Sequence, residues 1–165
     1  MKMLTGYGGA KINATLGFDY RQALRAAEAG AHVYSLFMGR MQAQGEDAVG
    51  VAKRIIERYI GTDAKIGFLA ASMRTPELVI DSWKAGADIA TAPPSVLEEL
   101  VKDHPLNFES MRAEHPEERH HMPRLLVIPR AHDEAEFKHP LLEPGLKKFI
   151  ADAASVGYDL LASKT

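Results

Sequence analysis

The chain has 165 residues, of which 46% are hydrophobic and 25% are charged, and its formal net charge is −2 at pH 7. This length and composition predict one globular domain with a substantial buried core, and the small net charge excludes a general attraction to nucleic acid or anionic membranes. The absence of cysteine excludes disulfides, thiolate nucleophiles and cysteine-ligated metals.

The sequence also indicates where the protein resides. No apolar run approaches the roughly 20 residues that span a bilayer. The first ten residues, which include several glycines, lack the apolar stretch of a signal peptide. We therefore expect a cytoplasmic protein.

Hydrophobic periodicity predicts strand–helix units in regular succession. Alternating or continuously apolar runs predict strands at residues 11–18, 31–38, 65–71 and 88–91. Helical spacing predicts helices at residues 20–29, 47–60, 76–85 and 96–103. Asp19 and Thr75 are predicted N-caps, and residues 39–46 are a predicted loop.

The second strand is predicted to lie at the centre of the sheet. Alternation places Val33, Ser35 and Phe37 on one face, and the other face is also apolar. Strands of this kind, joined by helices and short connections, predict an α/β architecture of parallel strands with about 30 residues per unit. A (β/α) barrel and a doubly wound sheet both use that spacing, and no dinucleotide or Walker phosphate loop is present.

Residues 107–138 break the rhythm and are predicted to be an irregular, charged insertion. The apolar island 125–128 predicts one strand inside it. His115, His120 and His121 invite a metal interpretation, but their spacing fits no defined site, and a solvated segment explains them better. Amphipathic spacing resumes in a predicted helix at residues 142–154, followed by a tail.

Cationic and polar side chains follow the predicted strands. Arg40 comes after the second strand, and Ser72 and Arg74 come after the third. Active sites of (β/α) barrels collect at the carboxyl ends of strands, and the arginine fork matches phosphate oxygens. The pattern is typical of a phosphate site, although arginines that only solvate their loops would give the same spacing.

Several motifs in one order resemble the transaldolase family, which includes the small fructose-6-phosphate aldolases. They are Asn13-Ala14-Thr15-Leu16, Gln22-Ala23-Leu24, Ala26-Ala27-Glu28-Ala29-Gly30-Ala31, Ser35-x-Phe37-x-Gly39-Arg40, Ala43-Gln44-Gly45, Ala70-Ala71-Ser72-x-Arg74, Gly86-Ala87-Asp88 and Pro93-Pro94. The match runs from residue 9 to residue 106 and resumes at His139-Pro140-Leu141 and Gly145-Leu146-Lys147-Lys148-Phe149.

The resemblance implies a TIM-barrel fold and aldol chemistry through a lysine Schiff base, without a cofactor or a metal. It matches Arg40, Ser72 and Arg74 to phosphate-binding positions. It also matches other residues to the substrate pocket, with a catalytic water held near the threonine: Asn13, Thr15, Ser35 and Phe37. A tyrosine in place of Phe37 is associated with aldolase rather than transferase behaviour.

The resemblance covers only the last four strand–helix units of the family barrel. The strand with the Schiff-base lysine, in a Lys-Ile-Pro context, has no counterpart here. Lys11 shares the inward parity of Asn13 and Thr15 and is a weak surrogate candidate. Leu36 stands where the family usually has proline, and Gln42 where many members have aspartate.

We therefore expect a single domain, residues 1–165, that forms a partial (β/α)8 barrel. It comprises core units at 9–106, an insertion at 107–138 and a terminal helix at 139–155. Its expected function is transfer of dihydroxyacetone or aldol cleavage of phosphosugars; the alternative is a non-catalytic half that binds a phosphosugar or a complementary half.

Half a barrel leaves two strand edges and an apolar face open. Val33, Phe37 and Phe68 are expected on that face. Such a surface predicts association, either as a homo-oligomer or with a complementary N-terminal half-barrel, unless the insertion covers an edge. A sugar phosphate is the expected ligand.

Overall fold

The structure, a computed structural model, describes residues 10–60, 66–103 and 139–158. The strands are β1 (Asn13–Gly17), β2 (Val33–Phe37), β3 (Gly67–Ala71) and β4 (Ile89–Ala90). The helices are α1 (Tyr20–Glu28), α2 (Met38–Gln42), α3 (Ala48–Ile60), α4 (Pro76–Lys84), α5 (Pro94–Asp103) and α6 (Leu142–Ser155). The predicted insertion, its histidines and its strand lie outside the described residues.

Within the described residues the sheet has four strands in the order β1-β2-β3-β4, and every neighbouring pair is parallel. Helices connect successive strands, so their carboxyl ends meet at one edge of the sheet. This arrangement confirms the predicted α/β fold: the described residues form part of a TIM barrel.

Both predicted helix N-caps are present. The carboxylate of Asp19 accepts a hydrogen bond of 2.9 Å from the Gln22 N–H at the start of α1. The hydroxyl of Thr75 accepts one of 3.3 Å from the Leu78 N–H at the start of α4, where proline is the first residue. Each cap satisfies a backbone N–H that the helix leaves unpaired, so the start of each helix is determined by residues close to it in the sequence.

The prediction of a loop at residues 39–46 is wrong over its first half, because α2 begins directly after β2. Met38 and Met41, three residues apart, are 0% and 1% exposed. One helical turn buries both side chains against the core, which an extended loop could not do. Tertiary packing therefore overrides the glycine and polar residues that favoured a loop.

The main core lies between the sheet and its helices. Tyr34, Leu36 and Phe68 point into this layer and are at most 2% exposed. The expectation that Phe68 faces water is wrong, because its register beside Tyr34 places it on the helix-covered face. Phe37, on the other face, is also buried, whereas Val33 is half-buried.

Among the helices within the described ranges, none combines the length and the apolar character needed to cross a membrane.

Candidate functional site

The interior face of the sheet joins two of the predicted pocket residues. The Ser35 hydroxyl on β2 donates a hydrogen bond of 2.7 Å to the side-chain oxygen of Asn13 on β1. Ser35 is 2% exposed, whereas Asn13 and Thr15 are exposed on the same side of β1. The sheet therefore presents an amide and a hydroxyl that are open to a ligand, with a buried serine behind them.

An aromatic group closes the carboxyl end of β2. The ring of Phe37 lies edge-on to Phe18, with 5.8 Å between centroids, and 6.4 Å from the ring of Phe149 on α6. The guanidinium carbon of Arg40 lies 4.8 Å from the Phe37 centroid, within cation–π range. Phe37 thus forms an apolar floor that also holds the Arg40 guanidinium in place.

Gly39 brings the ends of β2 and β3 into direct contact. A Cβ added at Gly39 would overlap the backbone carbonyl oxygen of Ser72 and would lie 3.0 Å from Cγ of Arg74. Only a residue without a side chain allows this approach. The contact places Arg40, which follows Gly39 in the chain, beside the segment that carries Ser72 and Arg74.

The backbone at Ser72 is strained. Its φ is +62°, a left-handed conformation that costs a non-glycine residue roughly 1–2 kcal/mol. Leu16, at the end of β1, has φ +58°. Both residues lie at carboxyl ends of strands, and strained residues of this kind cluster at ligand-binding sites.

Arg40 and Arg74 are the two cationic side chains predicted for the site. In the described parts of the chain, neither Arg40 nor Arg74 forms an ion pair with a carboxylate. Arg40 is half-buried and Arg74 is exposed. Two guanidinium groups at neighbouring strand ends, with a serine hydroxyl between them in the chain, form an electropositive end suited to a phosphate.

Helix α6 forms a wall of the same site. Gly145 of α6 is buried, and an added Cβ there would lie 2.8 Å from Cδ2 of Leu16 and 3.3 Å from Nη1 of Arg40. Just before α6, the imidazole of His139 stacks on Phe18 with 4.8 Å between centroids. Nε2 of the same ring lies 3.2 Å from Oε2 of Glu46.

The exit from β1 is held by a buried tyrosine. The Tyr34 hydroxyl donates a 3.0 Å hydrogen bond to the carbonyl oxygen of Asp19, and a Cβ at Gly17 would overlap its ring. Burial raises the pKa of Tyr34 well above its usual value near 10, and the charge of Asp19 raises it further. The phenol is therefore a neutral structural donor that fixes the segment between β1 and α1.

Lys11 lies at the opposite end of β1 from the arginines. It is exposed and precedes the first residue of the strand, Asn13. Gly17, at the carboxyl end of β1, follows Lys11 by six residues. At about 3.3 Å per residue of extended chain, this separation is roughly 20 Å. A catalytic role for Lys11 stays a prediction, and this separation weighs against it.

Nothing in the described residues gathers three or more histidine, aspartate or glutamate side chains into a possible metal site. The side chains of the candidate site offer guanidinium, hydroxyl and amide groups. Of the sequence-predicted residues, the fold brings Asn13 to Ser35, Arg40 to Phe37, and Gly39 to the segment that follows β3.

The sequence did not predict the part that α6 plays. The motifs after residue 138 include His139, Gly145 and Phe149 and resemble the family. Their separation in sequence from the rest of the site does not show how close they lie to it in space. The one sequence feature that could have indicated the role of α6 is that family-like motifs resume after residue 138.

A parallel strand–helix sheet with guanidinium and hydroxyl groups at the carboxyl ends of its strands defines part of a (β/α) barrel. A sequence model of the transaldolase/fructose-6-phosphate aldolase family matches residues 1–160. The chain belongs to this family.

Individual relatives agree with this membership. The chain is 46% identical over 98 residues to a protein of Clostridium acetobutylicum named "Probable transaldolase", which covers 59% of this chain and 45% of that protein. Proteins of the same name from Anaeromyxobacter sp. (strain K) and Phenylobacterium zucineum are 35% and 34% identical; the matches cover 87% and 93% of this chain and 50% and 54% of theirs. The chain thus spans about half the length of these curated relatives.

Proposed function

We propose that this chain supplies the phosphate-binding part of a transaldolase-type site in sugar-phosphate metabolism. Arg40, Ser72 and Arg74 hold the phosphate. The observation that carries the proposal is the contact of Gly39 with Ser72 and Arg74, which joins the ends of β2 and β3 where two guanidinium groups lack a carboxylate partner among the described residues. Family membership supports a phosphosugar as the source of that phosphate.

The interior face would receive the carbon chain of the sugar. Asn13 and Thr15 offer exposed hydrogen-bonding groups to its hydroxyls, and Phe37 supplies an apolar floor. Phenylalanine at position 37 favours transfer of a dihydroxyacetone unit over simple aldol cleavage, by resemblance to the family. By the same resemblance, Thr15 would help to hold the catalytic water.

The chemistry would need an amine from outside the described site. In a Schiff-base mechanism a neutral lysine attacks the ketose carbonyl carbon, water leaves, and the resulting iminium accepts the electron pair of the breaking carbon–carbon bond. The lysine position of the family lies in strands that this chain does not match. We infer that another part of the complete barrel provides the lysine.

A second candidate function is binding of a phosphosugar without chemistry. The exposed position of Lys11, at the far end of β1 from the arginines, favours this alternative for the chain by itself. The two candidates share the phosphate site and differ only in whether a lysine reaches the bound sugar. A trapping experiment therefore separates them.

We further propose that a complementary half-barrel completes the sheet. Within the described residues, strands β1 and β4 are its edges, and apolar side chains are exposed on β4 and on α5 after it: Ile89 at 44%, Leu97 at 46% and Val101 at 58%. Leu97 and Val101 lie four residues apart on one face of α5, where a barrel places the next helix. The matched relatives contain about as much further chain as a second set of strands requires.

The first experiment measures binding and covalent capture together. The purified chain is titrated with inorganic phosphate and fructose 6-phosphate by calorimetry, then incubated with fructose 6-phosphate or dihydroxyacetone, reduced with borohydride and weighed intact. Binding followed by a mass increment on one lysine would support the enzyme, and peptide mapping would test Lys11. Binding without an increment would support the binding role, and absence of any binding would contradict the phosphate site.

The second experiment tests barrel completion by light scattering. The chain is measured alone and after co-expression with the unmatched half of a relative. A stable complex that Val101→Ser weakens would support the proposal. A self-associated chain that ignores the added half would point to closure by a second copy, and a compact monomer that binds neither would show that the face is covered internally.

A further inference from the structure

The segment that enters α6 makes contacts that the proposed chemistry does not use. His139 contacts three separate parts of the molecule. Its ring stacks on Phe18 after β1, with 4.8 Å between centroids and 10° between planes, and its Nε2 lies 3.2 Å from Oε2 of Glu46 after α2. Its Nδ1 accepts a 3.2 Å hydrogen bond from the Leu141 N–H at the start of α6.

These contacts fix the protonation pattern of the neutral ring. Because Nδ1 accepts the Leu141 N–H, the proton lies on Nε2 and is donated to the Glu46 carboxylate. The side chain of His139 is 12% exposed and that of Glu46 is 35% exposed, so the pair is shielded more than an ordinary surface ion pair. Leu141 caps α6 without a side-chain hydrogen bond, which leaves His139 as the polar anchor of this helix start.

Helix α6 in turn sets the position of the Arg40 guanidinium. Gly145 lies against Nη1 of Arg40, and the Phe149 ring packs near the Phe37 ring over which that guanidinium lies. A shift of α6 would therefore change the space around Arg40 on one side and its aromatic support on the other. The path from His139 to Arg40 runs through one helix of 14 residues.

We propose that His139 and Glu46 form a latch that positions the phosphate-binding Arg40 through α6. His139 is a positioning residue, because it contacts the helix and not the expected ligand. The inference rests on the proposed function, since it assigns the latch to the same phosphate site. Without the latch, α6 would sample other positions, and phosphate binding would have to order it again.

The test uses the full chain, with inorganic phosphate as the probe. Calorimetric affinities are measured for wild type, His139→Ala, Glu46→Ala and the double variant. Each single variant is expected to weaken phosphate binding roughly tenfold, and the double variant no more than either, because the residues act as a pair. Glu46→Gln keeps an acceptor for the Nε2 proton and should retain most of the affinity.

Two controls separate positioning from general stability. Lys148→Ala removes an exposed pair with Asp152 on the same helix and should leave phosphate affinity unchanged. Hydrogen exchange is then followed at residues 145–149: phosphate should protect these amides more strongly in His139→Ala than in wild type, because only the variant must order the helix on binding. Far-UV circular dichroism confirms that each variant is folded.

The outcomes distinguish the latch from the site it serves. If wild type binds phosphate and the His139 and Glu46 variants bind it equally well, the latch is refuted while the proposed function stands. Additive losses in the double variant would also refute the pair. If wild type itself fails to bind phosphate, the proposed function is overturned and the latch with it.

Discussion

The hydroxyl of Ser35 donates a 2.7 Å hydrogen bond to the side-chain oxygen of Asn13, and this bond ties β2 to β1 on the interior face of the sheet. A buried hydroxyl whose partner is exposed orients that partner toward the ligand side. The bond thus links the stability of the sheet to the shape of the pocket.

Replacing Ser35 by alanine should lower the free energy of unfolding by about 1 kcal/mol, because one buried hydrogen bond is lost without a change of fold. Urea denaturation measures the effect. Ser155→Ala removes an exposed hydroxyl that bonds the Asp152 carbonyl oxygen at the end of α6, and it should change the free energy less. Equal effects of the two variants would show that the Ser35–Asn13 hydrogen bond contributes no more to the free energy of unfolding than an exposed one.

Gly39→Ala should disrupt both folding and phosphate binding. Its methyl group would overlap the carbonyl oxygen of Ser72, and such overpacking costs about 1–3 kcal/mol. Gly45→Ala is the matched control: it lies in the next turn, has φ +78° and has open space around it. It should lose stability through backbone strain alone.

Phosphate affinity separates these two glycine variants. Gly39→Ala must displace the backbone of Ser72, so calorimetry should show weaker binding of inorganic phosphate even where the variant is fully folded. Gly45→Ala should bind as wild type does. Unaltered affinity in folded Gly39→Ala would mean that the Ser72 segment does not form part of the phosphate site.

Arg74→Ala should weaken phosphate and sugar-phosphate binding roughly tenfold to a hundredfold, because hydrogen bonds to a charged ligand contribute about 1.5–3 kcal/mol. The melting temperature should hardly change, since Arg74 is exposed and is without an ion pair in the described ranges. The phosphate affinity of Arg74→Lys should lie between those of wild type and Arg74→Ala, because lysine keeps the charge but lacks the planar guanidinium.

The control for this substitution is Arg21→Ala, which removes an exposed arginine of α1. Calorimetry under the same buffer and salt should find its phosphate affinity equal to that of wild type. Equal losses in both variants would indicate a diffuse effect of net charge instead of a phosphate contact at Arg74.

Stability should fall in alkaline solution, and Tyr59 should contribute to that fall together with the buried Tyr34. The Tyr59 hydroxyl donates a 2.9 Å hydrogen bond to the Ala23 carbonyl oxygen, and burial raises its pKa far above the usual value near 10. The unfolded chain therefore releases this proton first, so the free energy of unfolding is undiminished below about pH 10 and declines as the pH rises toward the folded-state pKa.

Urea unfolding between about pH 9 and pH 11 checks this sign. Tyr59→Phe should be about 1 kcal/mol less stable at neutral pH, through the lost hydrogen bond, and should decline less steeply in alkali. Tyr158→Phe, at a 70% exposed position, should decline as wild type does. An identical slope in Tyr59→Phe would exclude Tyr59 as a contributor.

Several elements could be predicted because their signals are local. The caps at Asp19 and Thr75 formed as expected, and each predicted strand and helix within the described residues is present, with ends shifted by a few residues. Alternation also placed Ser35 and Phe37 on one face. These features depend on neighbours within one turn or one strand, which the sequence displays directly.

Other predictions were wrong because contacts between residues distant in the sequence determine the structure there. The helix at residues 38–42 replaced a predicted loop, since burial of Met38 and Met41 outweighed the local preference. Phe68 was expected in water but lies in the helix-covered core, because its face follows from register with Tyr34.

By itself, the sequence determined the succession of parallel strand–helix units, the family resemblance and the residue types at the strand ends. Only the tertiary structure decided which of those residues meet: Gly39 with the Ser72 segment, Arg40 with Phe37, and α6 with both Leu16 and Arg40. The reason is physical, since periodicity reports the face on which a side chain lies, whereas distances between elements depend on how the whole chain packs.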